Sequence, residues 1–244
     1  MNLVKAPVHI ASFLVLLPRP NNNAIPSSSR VYQFSLHILQ GSIVGFCPSR
    51  TPGAIVNAAN TLCLGGGGVD GAISDAGGPN LHRDRLQLPI IHNIPQGQAI
   101  RCPTGSAVVT GPGTYGALHV PYVIHAVGPN YKTFEPSRFH EADALLQSAY
   151  LSCLQRGKDH KIKCIAFSLL SAGVYRGKRS LKDILKIGLD SIIHFDGYTE
   201  LKEISVCAFS KEEIETLMEI IQSLEKDGWV RPQEKEEENS DVLV

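Results

Sequence analysis

The residues best placed to do chemistry lie in two short loops rich in glycine and small side chains. The first closes the stretch Ile55 to Gly71, IVNAANTLCLGGGGVDG, where Asn57 and Asn60 precede four consecutive glycines and Asp70 follows them. Such a glycine run is costly in conformational entropy, so its backbone is expected to take left-handed angles or to be approached closely by a ligand. A helix starting near Val69 would turn free N–H groups and a partial positive charge toward the loop, which suits a phosphate. No Gly-Lys-Ser/Thr follows, so the loop is not of the Walker type. The second loop is Leu170 to Lys178, LSAGVYRGK. Two such loops side by side can hold a pyrophosphate from both sides. Asp70, at a helix N-terminus, is better suited to accept a hydrogen bond or a proton than to donate one. Asn60 carries an amide that donates to one hydroxyl while accepting from another.

These loops need a frame, and the hydropathy pattern supplies one. Tyr32, Phe34, Leu36 and Ile38 alternate with Gln33, Ser35 and His37, the period of a half-buried strand. Ala54 to Asn57, Ser106 to Thr110, Tyr122 to Val127, Lys163 to Leu169 and Glu203 to Phe209 read as further strands, the last two continuous and apolar as in a buried parallel sheet. Helices are expected between them. One follows the cap Ser180, with Leu181, Ile184, Leu185, Ile192 and Ile193 on one face. Another follows Ser210, with Glu213 completing a capping box before Ile214, Leu217, Met218, Ile221 and Leu224. A third spans about Ser137 to Gln155. The order of elements predicts a three-layer α/β/α domain around a mixed, mostly parallel sheet. Open sheets of this kind bind ligands at the carboxyl ends of their strands, where both loops fall.

The sequence resembles the macrodomains, and the resemblance runs from about residue 32 to 225. It is carried by N-A-A-N at Asn57 to Asn60, G-G-G-G-V-D-G-A-I at Gly65 to Ile73, V-I-H-A-V-G-P at Val123 to Pro129 and S-A-G-V-Y at Ser171 to Tyr175. It implies a sheet of six strands, ADP-ribose as ligand, and hydrolysis of mono-ADP-ribose from acidic side chains or of O-acetyl-ADP-ribose. By the same resemblance Asn60 contacts the distal ribose, and Asp70 orients that sugar or the attacking water. The backbones of Gly65, Gly66, Gly67 and Gly68 and of Ser171, Ala172, Gly173, Val174 and Tyr175 hold the diphosphate, with Tyr175 beside the distal ribose. Ser42, Ile43, Asn57, Ala58 and Val69 are carried over as further ligand-binding positions. Read on its own, Asn57 is a structural residue bonding loop backbone, and His125 is a satisfied structural histidine. Two other classes stay open: a non-catalytic reader of ADP-ribosylated proteins, and an ADP-ribose 1″-phosphate phosphatase.

Three positions depart from the family pattern. Gly41-Ser42-Ile43-Val44 stands where most members have Gly-Asp-Ile-Thr, so a neutral hydroxyl replaces the acid that reads the adenine. Ser74-Asp75-Ala76-Gly77-Gly78 stands where His-Arg-Ala-Ala-Gly is frequent. Arg176 and Lys178 stand where Gly and Pro are commoner.

The 244 residues, 43% of them hydrophobic, suffice for one substantial core. Lys plus Arg and Asp plus Glu both total 23, so no global charge excess holds a nucleic acid. His82, His92, His119 and His140 have no metal-ligand spacing, and neither a metal nor a cofactor is expected. The six cysteines include no C-x-x-C pair and read as reduced thiols of an intracellular protein, cytoplasmic or nuclear. Residues 1–30 hold no acid and three basic residues, the composition of an organellar transit peptide, and are expected to be poorly ordered. The span 31–227 is the expected domain, and 228–244 a charged, disordered tail. The apolar run Ile10 to Leu17 is far too short to span a bilayer. The chain is expected to be a monomer whose partners are ADP-ribose and ADP-ribosylated proteins, with neither nucleic acid nor membrane among them.

Overall fold

Strand and helix periods alternate along the sequence, and the computed structural model, which describes residues 5–16, 32–94 and 98–233, follows that alternation. The strands are β1 (Val8–Leu16), β2 (Tyr32–Gln40), β3 (Gly53–Ala58), β4 (His92–Ile94), β5 (Gln98–Ile100), β6 (Ala107–Thr110), β7 (Tyr122–Ala126), β8 (Cys164–Ser168), β9 (Glu203–Ala208) and β10 (Val230–Pro232). The helices are α1 (Gly68–Leu86), α2 (Phe139–Asp159), α3 (Leu181–Ile193) and α4 (Lys211–Lys226). Eight strands form one mixed sheet in the order β10-β1-β2-β9-β8-β3-β7-β6, and β4 and β5 make a separate hairpin. Strands β2, β9, β8, β3 and β7 run parallel to one another, so their carboxyl ends share one edge of the sheet.

Successive side chains of a strand point to opposite faces, and here each face has its own core. Phe34, Leu36, Ile38, Ala54, Val56, Ile124, Ile165, Phe167, Ile204 and Val206 pack with α2, α3 and α4 on one side. Leu39, Ile55, Val123, Cys164, Ala166 and Cys207 face the other way, against Ile73 and Leu81 of α1 and against Ile43, Val44 and Tyr115. The three-layer reading therefore holds, with three helices on one face and α1 on the other. Ser180 accepts a bond from the Asp183 N–H at the start of α3, and Ser210 and Glu213 form the expected capping box of α4.

Two boundary expectations are corrected. The sheet has eight strands rather than six, because both ends of the chain join it. Within the segment expected to be poorly ordered, β1 pairs antiparallel with β2 and buries Phe13, Val15 and Leu16. Within the expected tail, Val230 is buried and β10 pairs with β1, from Phe13↔Pro232 to Val15↔Val230. The physical reason is pairing across the sequence: an apolar run too short for a membrane is long enough for a strand, and its partners lie far along the chain. Residues 17–31 and 234–244 lie outside the described residues, and with them the rest of the leader and tail expectations. Among the described residues no helix is long and apolar enough to cross a membrane.

Candidate ligand-binding and catalytic site

Because the parallel strands end together, five loops meet at one edge. They are the Gly41–Ile43 turn after β2, the Asn60 to Gly68 loop after β3, Val127 to Pro129 after β7, the Ser171–Tyr175 loop after β8, and Phe209 after β9. The Gly41 N–H donates to the Ala208 carbonyl at 2.9 Å, which fixes the first of these turns beside the last. The Ser171 hydroxyl donates to the Pro129 carbonyl at 2.8 Å, joining the loops after β8 and β7.

The glycine loop is shaped from below. The Asn60 amide donates to the Gly65 carbonyl at 2.9 Å, and its oxygen accepts from the Leu62 N–H at 3.0 Å. Gly65 and Gly68 take left-handed φ values of 108° and 60°, which only glycine adopts at little cost. A Cβ on Gly66 would lie 3.0 Å from Oδ2 of Asp70 and 3.1 Å from the Asn60 amide nitrogen. A Cβ on Gly67 or Gly68 would meet nothing within 4 Å, so the loop borders open space there. Gly67 caps α1 without a side-chain hydrogen bond, which leaves the first-turn N–H groups of the helix available to an anion.

Asp70 is the hydrogen-bonding centre of this arrangement. It is 3% exposed, and its Oδ1 accepts from the Asn57 amide at 2.8 Å and from the Arg85 guanidinium at 3.0 Å. Oδ2 is buried and has no partner. Arg85, 1% exposed, reaches Asp70 because α1 is broken at Gly78, where φ is 61° and ψ is −158° just before Pro79. The second half of the helix turns back, and Arg85 Nη1 donates to the Ser74 hydroxyl at 2.8 Å. His125 lies behind the pair. Its Nδ1 is 3.1 Å from the Asn57 amide nitrogen and 3.3 Å from Arg85 Nη2, both donors, so Nδ1 accepts and Nε2–H faces the Thr110 hydroxyl at 3.0 Å. Burial first, and the Arg85 charge second, hold the His125 pKa well below the ordinary 6.5, so this ring is neutral.

Placement of the other candidates is uneven. Ser42 spends its oxygen on the Val44 N–H at 3.3 Å, and the side chain of Ile43 is buried in the core facing α1. Asn57 is fully buried, and its amide bonds the side chains of Asp70 and His125 rather than loop backbone. Ala58 and Val69 are half-buried beside the loop. Ser171 has φ 56° and is buried with Ala172, whereas Gly173 faces open space, and Val174 and Tyr175 are 77% and 37% exposed. Sequence reasoning missed Arg85, whose partner lies across a helix break, and Phe209, a 78% exposed aromatic at the end of an otherwise buried strand. Phe209 follows β9 at the carboxyl edge of the sheet, and a large aromatic directly after a buried apolar run was the signal available for it. A cleft of about 340 Å³ lined by Asp84, Gln87, Leu88, Val109 and Thr110 among others shares no residue with these loops. The glycine loop, not that cleft, carries the open helix terminus and the buried unpartnered carboxylate oxygen.

Fold and site together define an α/β/α module whose glycine loop and uncapped helix N-terminus lie at the ends of parallel strands. Comparison with known proteins gives it a family. A model described as the Macro domain matches residues 56–181. A macro domain-containing protein of Caldanaerobacter subterraneus subsp. tengcongensis is 37% identical over 193 residues, 78% of this chain and 98% of the relative. A Pantoea vagans protein named O-acetyl-ADP-ribose deacetylase 2 is 34% identical over 190 residues, 75% of this chain and 96% of the relative. Among solved structures, an Oceanobacillus iheyensis macrodomain with ADP superposes with a TM-score of 0.63 at 30% identity, covering 80% of this chain and 94% of that one. A Trypanosoma brucei macrodomain in complex with ADP-ribose gives 0.59 at 28%, covering 76% and 68%. The chain belongs to the macro domain family.

Proposed function

We propose that this macrodomain binds ADP-ribose and hydrolyses an ester at its distal ribose, either the acetyl ester of O-acetyl-ADP-ribose or the link to an acidic side chain of a protein. The observation that carries this reading is Oδ2 of Asp70, a buried carboxylate oxygen without a partner at the foot of the glycine loop. A buried acceptor left unpaired is costly unless a ligand or water completes it. The diphosphate lies over Gly66 to Gly68 and the open N-terminus of α1, with the Ser171–Tyr175 loop on its other side. The adenine lies toward Ser42 and the exposed ring of Phe209, where stacking compensates for the missing acid. The distal ribose then falls between Asn60, Asp70 and Tyr175. Asp70 accepts the proton of a water attacking the acyl carbon, and N–H donors of the loops receive the charge that develops on its oxygen. The bond from that carbon to the ribose oxygen then breaks: the carboxylic acid is released, and the proton Asp70 took from the water passes to the departing ribose oxygen, so no further acid is needed. The relatives named O-acetyl-ADP-ribose deacetylase, at 34% to 42% identity, support the same chemistry.

The test is calorimetric titration of ADP-ribose into the purified chain, paired with turnover of O-acetyl-ADP-ribose and of glutamate-linked mono-ADP-ribosylated protein, for wild type and Asp70→Ala. Turnover lost by about a hundredfold, with ADP-ribose still bound though about tenfold or more weakly, supports Asp70 as base or water-positioning group. Binding by the wild type with no turnover of either substrate rejects hydrolysis and leaves a reader of ADP-ribosylated proteins. One observation favours that second reading: both ends of the Asn60 side chain are engaged by its own loop.

A further inference from the structure

One oxygen of Asp70, Oδ2, has no partner while the other is doubly occupied, and one of the two occupants is a charge that no sequence motif announces. Arg85 is buried beneath the glycine loop: a Cβ on Gly65 would come within 3.8 Å of its Nη1 and 3.2 Å of the Ser74 hydroxyl that Nη1 binds. That hydroxyl in turn donates to the Asp70 carbonyl at 2.6 Å. Guanidinium, hydroxyl, carboxylate and backbone thus form one closed set under Gly65. The carboxylate would otherwise be held by the Asn57 amide alone, which is shared with His125.

We propose that Arg85 is a positioning residue: it pins Oδ1 of Asp70 so that Oδ2 is left as the carboxylate's free acceptor for the ribose end of the ligand. The inference rests on the ADP-ribose reading given above. Arg85 itself touches no ligand, since the glycine loop lies above it. A carboxylate turned about its Cβ–Cγ bond presents the wrong lone pairs, so loosening Arg85 weakens what Asp70 does at the distal ribose. The diphosphate is held by loop backbone and is unaffected. A merely structural ion pair would behave otherwise, lowering affinity for every ligand of the site together.

ADP, which lacks the distal ribose, separates the two cases. Affinities for ADP-ribose and for ADP are measured on the full chain for wild type, Arg85→Met, Arg85→Lys and Ser74→Ala, with kcat and KM for O-acetyl-ADP-ribose. The charge-assisted bond at stake predicts that Arg85→Met loses about tenfold of the preference for ADP-ribose over ADP while ADP affinity stays within about twofold. Ser74→Ala, which frees Nη1, loses about threefold, and Arg85→Lys recovers most of the Arg85→Met loss. Where turnover is present, kcat falls and KM for O-acetyl-ADP-ribose rises in step with the lost ADP-ribose affinity. Removing one partner of a buried pair is strongly destabilising, so if Arg85→Met does not fold, Ser74→Ala and Arg85→Lys decide. An unchanged preference in the folded variants, or equal losses for ADP and ADP-ribose, overturns the inference. A wild type that binds ADP-ribose no better than ADP overturns the distal-ribose reading itself, before any variant is made.

Discussion

The Ser171 hydroxyl bonds the Pro129 carbonyl at 2.8 Å, and a Cβ on Gly128 would stand 2.3 Å from that same hydroxyl oxygen. Gly128 is therefore small because the loop after β8 leans on the loop after β7 there. Gly128→Ala is expected to displace Ser171 and open the second ligand loop, lowering ADP-ribose affinity by about tenfold, whereas Ser171→Ala, losing one hydrogen bond, costs about fivefold. Titration of both variants checks the order; equal, wild-type affinity in both would show that this loop does not hold the ligand.

Neighbouring glycines in the first loop make a sharper test, because the same substitution has opposite expectations at adjacent positions. At Gly66 a methyl group meets Asp70 Oδ2 and the Asn60 amide, so Gly66→Ala is expected to abolish turnover and weaken ADP-ribose binding. At Gly67 φ is −98° and no neighbour lies within 4 Å, so Gly67→Ala should leave unfolding free energy within about 0.5 kcal/mol of wild type. A ligand lying over the loop nevertheless meets that methyl group. Urea unfolding with and without ADP-ribose checks both at once: Gly67→Ala should match wild type without ligand and gain less stability from it.

What the sequence conveys depends on whether the signal is local. The two glycine-containing loops, the caps Ser180 and Ser210 and the alternation of β2 are written in neighbouring residues, and each is found where it was expected. Asp70 was legible for the same reason. Its partner was not: fifteen residues of straight helix span about 22 Å, so nothing in the spacing of Asp70 and Arg85 announces a contact. Only the break at Gly78-Pro79 brings them to 3.0 Å. Strand β1 was misread because its composition imitates a leader, while the residues that make it a strand, Phe34, Leu36 and Val230, are supplied by its sheet neighbours β2 and β10.

That pairing has a measurable consequence. Phe13 is 5% exposed in the main core cluster, so Phe13→Ala is expected to destabilise the chain by about 3 kcal/mol. Denaturant unfolding measures it, and a change below about 0.5 kcal/mol would mean that β1 is dispensable to the domain. Removal of residues 1–16 should go further and expose the β2 edge, which size-exclusion chromatography detects as self-association.

Burial of His125 ties stability to pH in a definite direction. The unfolded chain takes up this proton near the ordinary value of 6.5, whereas the folded chain, with Asn57 and Arg85 donors around Nδ1 and no water to solvate the charge, resists it until well below. Between those limits the unfolded state binds more protons, so stability is fully present above about pH 6.5 and declines as the pH falls, by up to about 1.4 kcal/mol per unit for this one group. His37, also depressed by burial, adds to the same trend, so the comparison is made with His125→Gln. That variant is expected to be less stable than wild type at pH 7.5 and to lose less on going to pH 5.0. Thermal unfolding at several pH values reads the difference in slope, and parallel curves for the two proteins would show that His125 is protonated in the folded state after all.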